Sequence, residues 1–124
     1  MAGAFDGNGL PMSRERFLTE LAAALAPQGT TLTWVDQDFL AARDVRPWSG
    51  ERALPLWLPL PEYGGFLSRD TTASIAAGLA PRPVAETARR TAAWLAAAQQ
   101  EVRPGGLAAE DEAFVLREWH ARGV

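Results

Sequence analysis

Apolar residues recur at helical spacing in three stretches of the chain. Ser13 has the chemistry of an N-cap, and the apolar residues that follow it, among them Phe17 and Leu21, lie on one side of a helix. Pro27 stops this pattern, so we expect a helix over about residues 13–26. The same spacing predicts two further long helices, over about residues 83–98 and 108–121.

Shorter patterns predict two short helices and two extended pieces. The helices cover about residues 37–42 and 71–77. Residues 30–35 are β-branched and alternating, which is typical of a strand, and Ala4-Phe5 is a second extended candidate. A lone extended piece needs a neighbouring strand to satisfy its backbone groups. The second candidate therefore suggests that further chain belongs before Met1.

A proline-rich apolar loop lies between the helical stretches. Pro55, Pro59 and Pro61 bracket a leucine- and tryptophan-rich run, and prolines this close together exclude a long helix or a central strand. Apolar loops of this length often line binding sites. Trp57 and its neighbours either pack as a buried connector or line a pocket, and both can hold. We expect one α+β unit over residues 1–124, mainly helical, with two or three short strands.

Composition excludes several kinds of chemistry. All 12 basic residues are arginine and cysteine is absent, so a lysine Schiff base, a lysine-dependent phosphate loop and a disulfide framework are impossible. The net charge of −3 argues against nucleic-acid binding. No apolar run is long enough to cross a bilayer, and the first residues do not have the pattern of a signal peptide. The sequence predicts a soluble, cytoplasmic protein that does not contact membranes.

Residues with catalytic potential are isolated from suitable partners. Gly7-Asn8-Gly9 lacks the preceding strand and the third glycine of a dinucleotide-binding turn. Tyr63 is the single tyrosine and has no lysine partner, while His120 is the single histidine and is expected on the surface near the C-terminus. The carboxylates of residues 110–112 suit the first turn of a helix. We therefore predict no catalytic, cofactor-binding or metal-binding residue in this chain.

Two arginines stand close to predicted helix starts. Arg69 precedes the possible cap Asp70, and Arg82 precedes Pro83. Either side chain could hold a substrate phosphate or carboxylate by a bidentate contact. Either could equally form an ion pair with a nearby acid, and the sequence leaves both alternatives open.

The order of several short strings resembles the C-terminal segment of extended short-chain dehydrogenase/reductases, the NAD-dependent epimerase/dehydratase family, in particular its reductase-like bacterial members. Each string is weak alone, and their order covers almost the whole chain from about Gly3. The strings are Thr33-Trp34-Val35-Asp36, Phe39-Leu40, Val45, Pro47-Trp48, Leu54-Pro55-Leu56-Trp57-Leu58-Pro59, Ser68-Arg69-Asp70, Ala76, Gly78-Leu79, Arg82-Pro83, Glu86-Thr87, Thr91, Trp94-Leu95, Gly106-Leu107 and a glutamate-rich helix with Trp119.

This resemblance implies a C-terminal substrate-binding lobe without its Rossmann domain. Members of the family carry the cofactor loop and the catalytic tyrosine–lysine pair in an N-terminal domain, and no position here matches them. NAD(P) is therefore expected only with a Rossmann-domain partner chain or a missing N-terminal domain. The resemblance implies a small-molecule substrate near a set of loop residues: Leu56, Trp57, Leu58, Tyr63, Phe66 and Arg69.

Three functions are compatible with these patterns. The first is the substrate-binding portion of an NAD(P)-dependent reductase, epimerase or dehydratase-like protein that is not catalytically complete alone. The second is a free-standing small binding or interaction module without enzymatic activity. The third is a decayed reading frame without function. The substrate and the choice between NAD and NADP are not encoded in the residues present.

Overall fold

A computed structural model describes residues 2–102 and 105–123, which form a mainly helical α+β protein. The described residues contain five helices and two very short strands. The helices are α1 Arg14–Leu25, α2 Gln37–Ala41, α3 Thr72–Ala76, α4 Val84–Ala97 and α5 Ala109–Ala121, and the strands are β1 Arg46–Pro47 and β2 Ala53–Leu54.

Local signals place the ends of α1 where the sequence predicts them. The Ser13 Oγ accepts a hydrogen bond of 3.1 Å from the backbone N–H of Arg16, which satisfies one of the unpaired donors of the first turn. At the other end Pro27 follows the C-cap, and Gly29 has a φ of 88°, a conformation that favours glycine. Both features act within a few residues, so this helix is confirmed.

The remaining helices also agree with the predicted ranges within a few residues. Pro83 is the N-cap of α4, and Gly78, with a φ of 108°, follows α3. Glu110 is one of three acidic residues in the first turn of α5, where negative charge suits the helix dipole. The predicted break at Pro104 lies outside the described residues, while Gly106 lies in irregular backbone before α5.

The two strands pair in parallel across an unusually short connection. Arg46 lies opposite Ala53, and the backbone N–H of Arg46 donates to the carbonyl of Arg52 over 2.8 Å. Parallel strands normally need a crossover of a dozen or more residues. Here the chain returns through three residues with positive φ, which are Trp48 at 69°, Gly50 at 103° and Arg52 at 53°. Left-handed residues turn the chain sharply enough to replace the crossover.

Both predicted strands are wrong in position. Residues 30–35 and Ala4-Phe5 have irregular backbone, and nothing in the described part of the chain pairs with them. Leu32 and Trp34 are 42% and 50% exposed, so the alternating pattern does not bury a face within this chain. Alternation shows that a segment suits a pleated surface, whereas a strand also requires a neighbouring strand.

The described residues divide into two compact units. The first unit consists of the described parts of Met1–Thr30 and Gly65–Val102, and the second of those of Thr31–Gly64 and Arg103–Val124. In the second unit Leu40, Val45, Trp57 and Val115 form a small apolar core. In the first unit α1 packs against α4. The prediction of one substrate-binding lobe over residues 1–124 concerns function and stays a prediction.

The length and polarity of a helix decide whether it can span a membrane. No helix of the described chain is long and apolar enough to cross a bilayer.

Candidate functional site

An apolar pocket lies between α1 and α4 in the first unit. Its volume of about 390 Å³ falls within the range of small-molecule sites. Three large apolar side chains come from α1, and α4 supplies mostly small ones. The lining residues are Phe17, Leu21, Leu25, Arg82, Val84, Thr87, Ala88, Thr91, Ala92 and Leu95.

The spacing of small residues on α4 creates this pocket. Thr87, Ala88, Thr91 and Ala92 recur three or four positions apart, so they share the face that packs toward α1. Ala88 is buried at 7% exposure. The alanine and threonine side chains on this face of α4 are shorter than leucine, so they leave space toward α1 that leucines would fill. The apolar stripe of Phe17 and its neighbours therefore remains partly uncovered.

Arg82 is the single charged residue among the described residues that line the pocket. It lies two residues before α4, so it lines the pocket from the N-terminal end of that helix. Within residues 2–102 and 105–123, Arg82 has no hydrogen bond or ion pair. Its donors are therefore available to a carboxylate or phosphate, the groups that arginine binds bidentately.

Arg69 has a partner, in contrast to Arg82. Its Nη2 lies 3.3 Å from Oδ1 of Asp6, and both side chains are about half exposed. Ser74 adds a hydrogen bond of 2.5 Å from its hydroxyl to the backbone carbonyl of Asp6. These contacts favour the local ion pair for Arg69, which was one of the two alternatives that the sequence left open.

The other predicted substrate-binding residues are divided between the two units. Leu56, Trp57, Leu58 and Tyr63 belong to the second unit, and Phe66 belongs with Arg69 to the first, so no single unit brings all six together. Phe66 is 52% exposed.

Burial separates the members of the second unit further. Trp57 is only 8% exposed and packs in the core, which favours the buried connector for this side chain. Leu56 and Tyr63 are each 49% exposed, and Leu58 is half-buried. Leu56 also has a φ of 64°, which is an outlier for a bulky side chain.

Asp70 has the one resolved pKa change among the described titratable groups. The Thr72 side-chain hydroxyl donates to Oδ1 of Asp70 over 2.6 Å, and the Thr72 backbone N–H donates to the same atom over 3.0 Å. These two hydrogen bonds stabilise the charged carboxylate and lower the pKa of Asp70 below its ordinary value. These bonds tie Asp70 to the first residue of α3, but the N-cap of α3 is Thr71 and makes no side-chain capping bond, so the predicted cap at Asp70 is wrong.

An arginine–aromatic cluster links α2 to α5 in the second unit. The guanidinium carbon of Arg43 lies 3.4 Å from the centre of the Phe39 ring, and Phe39 meets Trp119 edge to face at 5.0 Å between ring centres. The Arg43 Nη2 also lies 3.3 Å from Glu118. The Arg43 Nε is buried and has no hydrogen-bond partner in the described structure. These contacts hold two helices together.

Residues for metal or cofactor chemistry are not gathered in the described structure. Within the residues it covers, no three histidine or acidic side chains converge on a point where a metal ion could bind. His120 is exposed in the last turn of α5, and Gly7-Asn8-Gly9 lies in irregular backbone that does not lead directly into a helix.

Comparison with known proteins gives no relative for this chain. No protein-family model, no curated protein and no solved structure matches it significantly.

Sequence reasoning identified Arg82 as a possible anion contact and missed the pocket beside it. The available signal was the small residues on the inner face of α4, such as Ala88 and Ala92, opposite the leucines of α1. Nothing in the sequence shows which two helices pack together, so the pocket could not be assigned in advance.

Proposed function

We propose that this chain is the substrate-binding portion of an NAD(P)-dependent reductase, epimerase or dehydratase-like enzyme. A Rossmann-domain partner, on another chain or in a longer form of this one, supplies the cofactor and the catalytic residues. One observation carries the proposal. Several residues that line the α1–α4 pocket belong to the short sequence strings that resemble the dehydrogenase/reductase family. Those residues are Arg82, Thr87, Thr91 and Leu95.

The chemistry of the pocket supports holding a substrate rather than transforming it. Its side chains are apolar apart from two threonines and one arginine. The Thr91 hydroxyl already donates to the Thr87 carbonyl over 2.9 Å. The described residues that line the pocket include no carboxyl, imidazole or phenol group, the kinds of side chain that serve as general acid or base, so in this proposal such a group comes from the partner.

The proposal also includes the loop residues that the family resemblance places near the substrate. Leu56, Leu58 and Tyr63 lie half-buried or exposed and can contact a substrate, whereas Trp57 supports them from the core. Phe66 and Arg69 belong to the first unit. A cytoplasmic location is part of this proposal.

The decisive experiment is reconstitution. The full chain is mixed with a Rossmann-domain protein of the short-chain dehydrogenase type, NAD(P)H and candidate carbonyl substrates, and the absorbance of the reduced nicotinamide is followed. We expect turnover in the mixture and none with either protein alone. Tight binding of NAD(P)H by this chain alone would contradict the proposal.

A pocket variant supplies the internal control for reconstitution. Ala92→Phe places a ring in the pocket and should lower kcat/KM in the mixture, while Ala93→Phe, at an exposed neighbouring position outside the lining, should not. Equal activity of the two variants would show that the pocket does not hold the substrate.

A free-standing binding module is the alternative, favoured by the apolar surface of the second unit. Trp34, Trp48 and Leu60 are 50%, 42% and 61% exposed in that unit. Exposed apolar patches often mark contact surfaces. Size-exclusion chromatography with a proteolysis time course discriminates the two functions, since a monomer with a protease-resistant loop favours the module.

A further inference from the structure

We infer that the α1–α4 pocket binds an elongated apolar molecule that ends in a single oxyanion, a carboxylate or a phosphate, with Arg82 as the anion contact. This inference rests on the proposed function, because it names the substrate class for the same pocket. It is also testable on the chain alone, without cofactor or partner.

Charge defines one end of the ligand. Arg82 lies before the first turn of α4 and is the single charged lining residue of the described pocket, with no acidic side chain beside it in the lining. Arg69, by comparison, is already paired with Asp6 at 3.3 Å. An oxyanion that enters the pocket therefore meets an unpaired guanidinium, while an ammonium group meets repulsion.

The length of the pocket lining indicates how long the apolar part of the ligand is. On α4 the lining extends from Val84 to Leu95, and on α1 from Phe17 to Leu25. At a helical rise of about 1.5 Å per residue, these stretches cover roughly 16 Å and roughly 12 Å. An apolar chain of that order of length can lie along both helices and bury itself against the leucines.

Volume and polarity favour a small molecule over a protein segment. The pocket volume of about 390 Å³ falls within the range of roughly 300–1,000 Å³ that is typical of small-molecule sites. Thr87 and Thr91 also interrupt the apolar face that a docked helix would need. The observations therefore favour a narrow ligand, and a partner helix becomes an outcome of the test.

The experiment is isothermal titration calorimetry of the full chain with four probes, each kept below its micelle concentration or solubility limit: decanoate, decyl phosphate, decanol and decylamine. We expect saturable binding of one or both anions, with affinity about ten-fold or more above that of decanol and no binding of decylamine. Which anion binds more tightly decides between a carboxylate and a phosphate headgroup. Equal affinity for decanol and both anions, or no saturable binding, would overturn the inference.

Two variants assign the contact. Arg82→Gln should reduce the affinity for the preferred anion about ten-fold and leave that for decanol unchanged. Arg89→Gln is the matched control, because Arg89 is an exposed arginine of α4 that does not line the pocket. Circular dichroism checks that both variants keep their helices. An equal effect of the two variants would remove Arg82 as the contact and overturn the inference.

A separate measurement distinguishes this inference from the proposed function. If the chain binds the anion but reconstitution gives no turnover, the ligand class stands and the enzymatic role falls. If turnover occurs but the chain binds neither anion, the enzymatic role stands and the inferred ligand class is overturned. If the Rossmann-domain protein displaces the bound anion and Ala92→Phe weakens its association with the chain, the pocket is a docking site for a partner and the inference is overturned.

Discussion

The pKa of Asp70 is set by hydrogen bonds from a residue only two positions away in the sequence. Its carboxylate accepts hydrogen bonds from the hydroxyl and the backbone N–H of Thr72, and both lower its pKa. The pKa of Asp70 is lower in the folded state than in the unfolded state. The charged carboxylate therefore stabilises the folded state when the pH is above the ordinary pKa of 3.8. That contribution is lost as the pH falls through the lowered pKa.

Replacing the hydroxyl donor should shift this titration. In Thr72→Val the Asp70 carboxylate loses the hydrogen bond from the Thr72 hydroxyl, which is the larger of the two that lower its pKa, so we expect that pKa to move upward toward the ordinary value. NMR titration of the Asp70 side-chain carboxyl carbon measures the change. Thr72→Ser keeps a hydroxyl and is the control, which should titrate like the wild type. An unchanged pKa in Thr72→Val would show that the hydroxyl does not act on Asp70.

At the scale of a secondary-structure element, α5 shows that helical periodicity separates neighbouring residues into core and surface. Val115 is 3% exposed and packs with Leu40, Val45 and Trp57, while the adjacent Phe114 is 43% exposed. The contribution of a side chain to stability depends on the apolar area that it removes from water. The smaller side chain therefore contributes more than the larger one beside it.

Alanine substitution in α5 should reverse the order expected from side-chain size. We expect Val115→Ala to lower the free energy of unfolding of the second unit by about 2 kcal/mol, through lost burial and a cavity. Phe114→Ala, the matched control, should cost less than about 1 kcal/mol. Urea unfolding read from amide NMR signals of the second unit measures both. Equal losses would mean that Val115 is not part of a packed core.

At the scale of the molecule, the large buried apolar residues of the described structure all belong to the second unit. They are Leu40, Val45, Trp57 and Val115, together with the smaller Ala53. In the first unit the buried residues are Thr71, Ser74 and Ala88. Apolar burial is the main favourable term in folding, so the two units differ in the strength of their internal packing.

Hydrogen exchange should reveal this difference directly. The helices α4 and α5 have 14 and 13 residues, so their lengths are closely matched. We expect the central amides of α5 to exchange more slowly than those of α4, because α5 contributes Val115 to the apolar core. Faster exchange in α5 would contradict the ranking. Added pocket ligand should then slow exchange in α1 and α4 and leave α5 unchanged.

The helices were predictable because their signals are local. Ser13, Gly78 and the acidic first turn of α5 act on backbone groups within one turn of themselves. The candidate site was only partly predictable. Arg82 stands out by its place before Pro83, but its pocket exists because α4 packs on α1, and that pairing joins distant parts of the sequence.

The sequence by itself determined the mainly helical class, the five helices and the exclusion of lysine-based chemistry, because periodicity, caps and composition need no knowledge of neighbours. The tertiary structure decided where the strands form, and that Arg69 pairs with an acidic side chain whereas Arg82 does not. Residues 30–35 have a strand pattern without a partner, whereas Arg46 and Ala53 pair through left-handed turns at bulky residues. A β-ladder and a pocket both require a second segment, and its position follows only from packing.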